Sequence, residues 1–395
     1  MRIVPALFLT LALPAQAETL SQELGRSGLA ATETRLAALA TPTDADRFAL
    51  GGVQFLRAVE GSFQERWALG MTDRTGLLPL LRLPIADNPN PAAFDPAAIV
   101  TLFAHAEVRL VAAQKTLTAI PDTANFALEI ALDDIWFDIN SNGTRNPGEG
   151  IGAILGAAVG AETGDGTALP LPVIRFDVAD AAWTAAYANL LAGFCNLIRA
   201  YDPTEPLTRV LAARATMAAL GPVTDDPILG GRGAPDAIDL IATALATLNQ
   251  TPDNAMMTAA QAHFLAMVAQ NRLFWSRVAL ESDNDREWLP NDQQTSALGI
   301  TVPPGTGAAW LAVLDDLAAV LRGETLVPYW RVGAPAGLNV SRMFSDPRPV
   351  DLAGWVQGWA ALPYLETGRL LDRQSLDAFD MLTSGQAPLF ALYLN

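Results

Sequence analysis

DADRFALGGVQFLRAVEGSFQERW, residues 44–67, sets Phe48, Val53, Phe55, Leu56, Val59 and Phe63 on one broad stripe at helical spacing. Asp44 and Asp46 are the residue type that opens a helix. The same period recurs along the chain. Residues 95–120 carry Pro96 in the first turn, where its missing N–H does no harm, and residues 179–201 stop ahead of Asp202-Pro203. Further helical patterns cover 207–220, 236–248, 254–280, 307–322 and 351–364. About eight or more helices on these patterns predict a mainly α protein.

The connectors are rich in proline. Residues 77–96 hold too many prolines for a helix or a central strand. Two extended runs, 326–332 and 338–344, flank Gly333-Ala334-Pro335-Ala336-Gly337 and predict a small β-hairpin. Residues 173–178 read as one more strand. Glycine, alanine and threonine dominate residues 150–172, a connector between an N-terminal helical half (18–137) and a C-terminal one (173–395). Low charge and apolar helices on both sides favour a single large helical domain of two intimately packed halves.

Composition narrows the function. Of 395 residues 51% are hydrophobic and 17% charged, which excludes a disordered chain. A net charge of −17 argues against nucleic acid or anionic lipid as the main partner, since both call for a basic patch. One cysteine and two histidines rule out a disulfide framework, a cysteine-ligated zinc cluster and a three-histidine metal site. Cys195 lies in an apolar helical stretch, the setting of a buried, inert thiol.

Residues 1–17 combine Arg2, an apolar run from Ile3 to Leu13 and the triplet Ala15-Gln16-Ala17, the pattern of a cleaved export signal. The run is too short to span a bilayer, which takes about 20 residues. No later segment reads as long and apolar enough to do so. The expected location is the periplasm or the medium.

One stretch is specific. Residues 138–149, DINSNGTRNPGE, fit D-x-[DN]-x-[DN]-G-x5-E at every specified position. A hard cation wants six to eight oxygens, and a tight loop supplies them from alternate positions. Asp138, Asn140 and Asn142 offer side-chain oxygens, Thr144 its backbone carbonyl, Asn146 a direct or water-mediated ligand, and Glu149 both carboxylate oxygens. Gly143 makes the sharp turn. Asp133 and Asp134 upstream would add to the negative field.

Over these twelve residues the chain resembles the EF-hand family and the related single calcium loops of dockerin-like modules. The resemblance implies one bound Ca²⁺ held by Asp138, Asn140, Asn142, Thr144, Asn146 and Glu149. It departs from the family at Arg145, where paired loops usually place an aliphatic residue, and no second loop matches. With two carboxylates, an affinity near ~10⁻⁴ M is expected, suited to a structural clip.

Other constellations are weaker. Gly150, Gly152, Gly156 and Gly160 lack nucleotide-loop spacing and suit close helix packing. His105 and His263 read as structural histidines inside helices. The acidic run 281–292 reads as a solvated loop at a helix end. Nine tryptophans and the acidic side chains keep open a secreted all-α carbohydrate-active hydrolase or lyase using Asp/Glu catalysis, with a glycan as partner. Trp355 and Trp359, four apart, have ordinary core spacing. A third reading is a subunit whose low charge reflects a buried protein interface. The reading favoured overall is an exported calcium-binding helical protein with a role in binding or assembly.

Overall fold

The helical stripe on residues 44–67 belongs to a helix of 26 residues that starts at Thr43, whose side chain accepts from Asp46 N while the Asp46 carboxylate receives Thr43 N. This reciprocal cap satisfies two N–H groups that the helix itself cannot. The computed structural model describes residues 18–71, 80–155, 171–221 and 234–394. The expected export signal at residues 1–17 and most of the 150–172 connector, Gly156 and Gly160 included, lie outside the described residues.

In chain order the elements are α1 (Leu20–Ala37), α2 (Asp44–Leu69), α3 (Ala97–Thr118), β1 (Leu128–Ala131), α4 (Ile151–Leu155), β2 (Val173–Phe176), α5 (Val178–Ala200), α6 (Thr204–Leu220) and α7 (Ala234–Leu248). Then follow α8 (Asn254–Val278), α9 (Thr306–Arg322), β3 (Ala336–Leu338), α10 (Val340–Ser345), α11 (Leu352–Gln357), β4 (Leu365–Thr367), α12 (Gln374–Leu382) and α13 (Ala387–Leu394). The protein is mainly α, a helical domain with two small two-stranded sheets among the described residues.

Packing runs α1 on α2, α2 on α3, α3 on α5 and α5 on α8, with α9, α10 and α12 stacked beyond α8. Phe63 and Phe103 are fully buried between the first helices, and Phe63 meets Phe137 edge-on at 5.2 Å. Each such side chain contributes about 1.5–3 kcal/mol of transfer free energy. The largest buried cluster joins Leu24, Phe63 and Leu110 to Ala188, Leu191 and Cys195, so apolar contacts cross from the chain before residue 150 to the chain after 172.

Three sequence expectations need correction. Residues 326–332 and 338–344 do meet, through one antiparallel bridge between Val327 and Leu338 with bonds of 2.9 and 2.8 Å. The hairpin goes no further, because Asn339 Oδ1 accepts from Arg342 N and starts α10, and β3 pairs instead with β4. The 351–364 helix stops at Gln357, where Gly358 turns to φ +117°, so Trp355 and Trp359 do not share a helical face. Trp355 stacks on Tyr364 while Trp359 stands 53% exposed.

The third correction concerns membranes. Among the described residues two helices, α3 and α5, are long and apolar enough by length and composition to cross one, though the apolar stretch of α5 is 67% buried inside the protein. The expected strand at 173–178 forms over its first four residues as β2, antiparallel to β1 with Ala131 opposite Val173 and Leu128 opposite Phe176, before Asp177 caps α5. That pairing brings the chain back after residue 131, which makes the oxygen-rich loop an excursion between two paired strands.

Candidate metal centre

The chain approaches the loop extended, not helical. Trp136 forms an antiparallel bridge with Gly150, Phe137 N donates to Glu149 O at 2.8 Å and Ile151 N to Ile135 O at 3.0 Å. The two ends of the loop are thereby fastened side by side, and α4 begins at Ile151. On its N-terminal side the loop is entered by an extended chain in the bridge with Gly150, where an EF-hand has a long helix.

Inside the loop the backbone bonds to the side chains expected as ligands. Asp138 Oδ1 accepts from Asn142 N at 2.9 Å and Oδ2 from Gly143 N at 2.9 Å. Asn140 Oδ1 shares the Asn142 N–H at 3.1 Å, and Asn142 Oδ1 accepts from Thr144 N at 2.8 Å. Ser141 and Gly143 adopt φ +59° and +72°, the left-handed conformation that lets the chain turn so tightly. Asn146 Nδ2 donates to the Thr144 carbonyl at 2.9 Å.

Glu149 closes the loop. It is 4% exposed, and its Oε1 accepts from Ile139 N at 3.1 Å while Oε2 accepts from Asn146 N at 2.6 Å. Asp138, Asn140, Asn142, Thr144, Asn146 and Glu149 are tied to one another by hydrogen bonds within this loop. Every donor is a hard oxygen, which fits calcium. Arg145 Nη2 lies 2.8 Å from where a Cβ on Gly150 would stand.

Two α2 side chains hold the loop from below, and sequence reading missed both. Glu60, fully buried, accepts from Asp138 N at 2.8 Å and pairs with Arg57. Burial pushes its carboxyl up, against the opposing pull of Arg57 and the Asp138 N–H. Gln64 Nε2 donates to Asp138 O at 2.8 Å. Their i, i+4 spacing was visible, but nothing in the sequence ties α2 to a loop 74 and 78 residues away.

Helix α1 supports the incoming chain. Trp136 Nε1 donates to Leu24 O at 3.0 Å, and Ser21 Oγ donates to Asp134 Oδ2 at 2.5 Å while accepting from Ala131 N at 2.9 Å. Asp134 consequently faces α1, and its expected contribution to the loop's field gives way to a structural bond.

The other singled-out residues find ordinary roles. Cys195 is buried, and that burial pushes its thiol up to about 12, which leaves it inert near neutral pH. His263 Nδ1 lies 3.0 Å from Asn189 Oδ1, and burial lowers its pKa. His105 Nδ1 lies 2.8 Å from Glu65 Oε1.

The acidic run at 281–292 is less solvated than expected. Glu287 is buried, and Glu281 is half-buried, receiving Gln294 Nε2 at 3.1 Å. Both pack near the first turn of α5, where Asp177 and Asp180 form the cap. Arg175 contacts the rim residues Asp283 and Asp285 at 3.1 and 3.5 Å. Burial raises all four inner carboxyls, and neighbouring carboxylates add to the effect. Glu281 reaches about 7.

A carboxyl raised by folding binds protons more tightly in the native state. Its stabilising contribution is complete below the unfolded value, about 4, and is lost as pH rises through the native value. Glu281→Gln keeps an acceptor for Gln294 and removes the titration. The variant is expected to match the wild type at about pH 4.5 and exceed its stability at about pH 8, read as urea midpoints. A variant weaker than the wild type at both would contradict this account.

Comparison with protein-family models, with curated proteins and with solved structures found no match for this chain. Function must be argued from the site itself.

Proposed function

We propose that this is an exported helical protein whose 138–149 loop holds one structural Ca²⁺, and that it serves in binding or assembly. The observation that carries the calcium reading is the convergence of Asp138 and Glu149. Eleven residues apart in sequence, each carboxylate accepts two backbone N–H groups from the same loop. Asp138, Asn140, Asn142, Thr144, Asn146 and Glu149 would hold the ion, which would supply a positive centre joining the loop's two ends. Location in the periplasm or medium rests on the leader pattern at residues 1–17.

The assembly role is supported by apolar side chains left in solvent. On α6 and α7 these include Met217, Leu220, Ile238 and Ile241, and near α11 Trp330, Val356 and Leu362. Large exposed apolar patches are the usual mark of an interaction surface. The carbohydrate-hydrolase reading has less behind it. Asp177 and Asp180 are engaged in capping α5, while Trp183 and Trp288 pack edge-on against each other at 5.4 Å.

A site of ~10⁻⁴ M affinity adds about 1.4 kcal/mol of stability at roughly millimolar calcium. Melting midpoints should therefore rise on adding calcium and fall with chelator, and Glu149→Gln should abolish the difference. Midpoints indifferent to both treatments would count against the reading.

A further inference from the structure

A groove of about 520 Å³ lies between α2 and α3, with Glu33 of α1 and Gln64, which holds Asp138, among its lining residues. Its volume is in the range of small-molecule sites. Small side chains create it: Ala58, Gly61 and Ser62 on α2 face Ala106 and Ala112 on α3. A Cβ on Gly61 would meet only Arg109 Nε, at 3.8 Å, so the space beside it is open.

The groove carries charge of both signs in paired positions. His105 Nδ1 lies 2.8 Å from Glu65 Oε1, and one turn further along α3 Arg109 Nη1 lies 3.7 Å from Glu33 Oε2. The second distance is an ion pair without a hydrogen bond, so the guanidinium fork keeps its donors for a ligand. A ligand of only negative charge would meet Glu33 and Glu65, and one of only positive charge would meet Arg109. The lining residues include no Phe, Tyr or Trp, the broad flat faces on which sugars stack.

We infer that the α2–α3 groove is a binding site for a small zwitterion, a free amino acid or a short peptide. Its carboxylate goes to Arg109 and its ammonium to Glu33 and Glu65. The apolar faces of Leu102, Ala106 and Ala112 receive the side chain.

The test is calorimetric titration of the purified full chain with L-leucine, L-alanine and L-alanyl-L-leucine, beside N-acetyl-L-leucine and L-leucinamide. Saturable binding of at least one zwitterion is expected, with the singly charged analogues at least tenfold weaker. Preference for the dipeptide over both amino acids would assign a peptide, and the reverse a free amino acid. Arg109→Gln should weaken zwitterion binding at least tenfold. Gly61→Met should abolish it by filling the groove, with a melting midpoint no lower than that of the wild type. The inference is overturned if none of the three zwitterions binds saturably, if the analogues bind equally well, or if a folded Gly61→Met or Arg109→Gln binds as the wild type does.

Discussion

Glu60→Ala is expected to destabilise the protein by about 3–5 kcal/mol, the range for removing one partner of a buried ion pair. Two groups lose their partner together. Arg57, largely buried, keeps only Glu33 at 3.4 Å, and Asp138 N loses its acceptor. A buried N–H without a partner costs about 1–3 kcal/mol by itself. Glu60→Gln separates the two contributions, because an amide oxygen still accepts from Asp138 N while the charge is gone. Urea unfolding of both variants should rank wild type above Gln and Gln above Ala. Equal losses would mean that Glu60 matters only through its charge, and that the bond to the loop is incidental.

Gly28→Ala is the second large effect. Gly28 sits inside α1 at φ +74° and ψ 178°, a region open essentially to glycine alone, and forcing another residue there costs about 1–3 kcal/mol. A Cβ at this position would also stand 2.7 Å from Trp136 Cζ2. Relieving that overlap must move the indole whose N–H donates to Leu24 O, adding about 1–3 kcal/mol of overpacking. The expected total is about 2–6 kcal/mol, by denaturant or melting. Gly52→Ala is the matched control. It lies within α2 with nothing within 4 Å of its Cβ position, and should stabilise by about 0.5–1 kcal/mol. Similar behaviour of the two variants would contradict the assigned contact between α1 and Trp136.

Gly28 also marks a limit of sequence reading. Helix α1 broke the apolar period that reveals α2, α3 and α5, because its backbone leaves helical geometry at that glycine and its buried face includes Ser21, Gly28 and Thr32. Helices α12 and α13 were missed as well, being short, although Phe379 is fully buried and packs on Trp310 at 5.2 Å. Long amphipathic helices were legible since each carries its own period and its own cap. Residues 351–364 were misread because the apolar pattern continues past Gly358, whereas the backbone conformation does not.

The loop was legible for a similar reason: its donors lie within twelve residues, and their spacing is itself the signal. Its supports were not. Glu60 and Gln64 reach it from α2, and Ser21 and Leu24 brace the preceding segment from α1. Only folding brings these residues near, and no spacing encodes them. The groove at His105 and Arg109 was hidden likewise, since its carboxylates come from other helices.

Ion binding by residues 138–149 is tested most directly by equilibrium dialysis of the purified chain against radioactive calcium. One ion per chain is expected, with a dissociation constant near ~10⁻⁴ M. The double variant Asp138→Asn, Glu149→Gln should bind none. A wild-type chain that retains no calcium at millimolar concentration, or a double variant that retains as much as the wild type, would contradict the account.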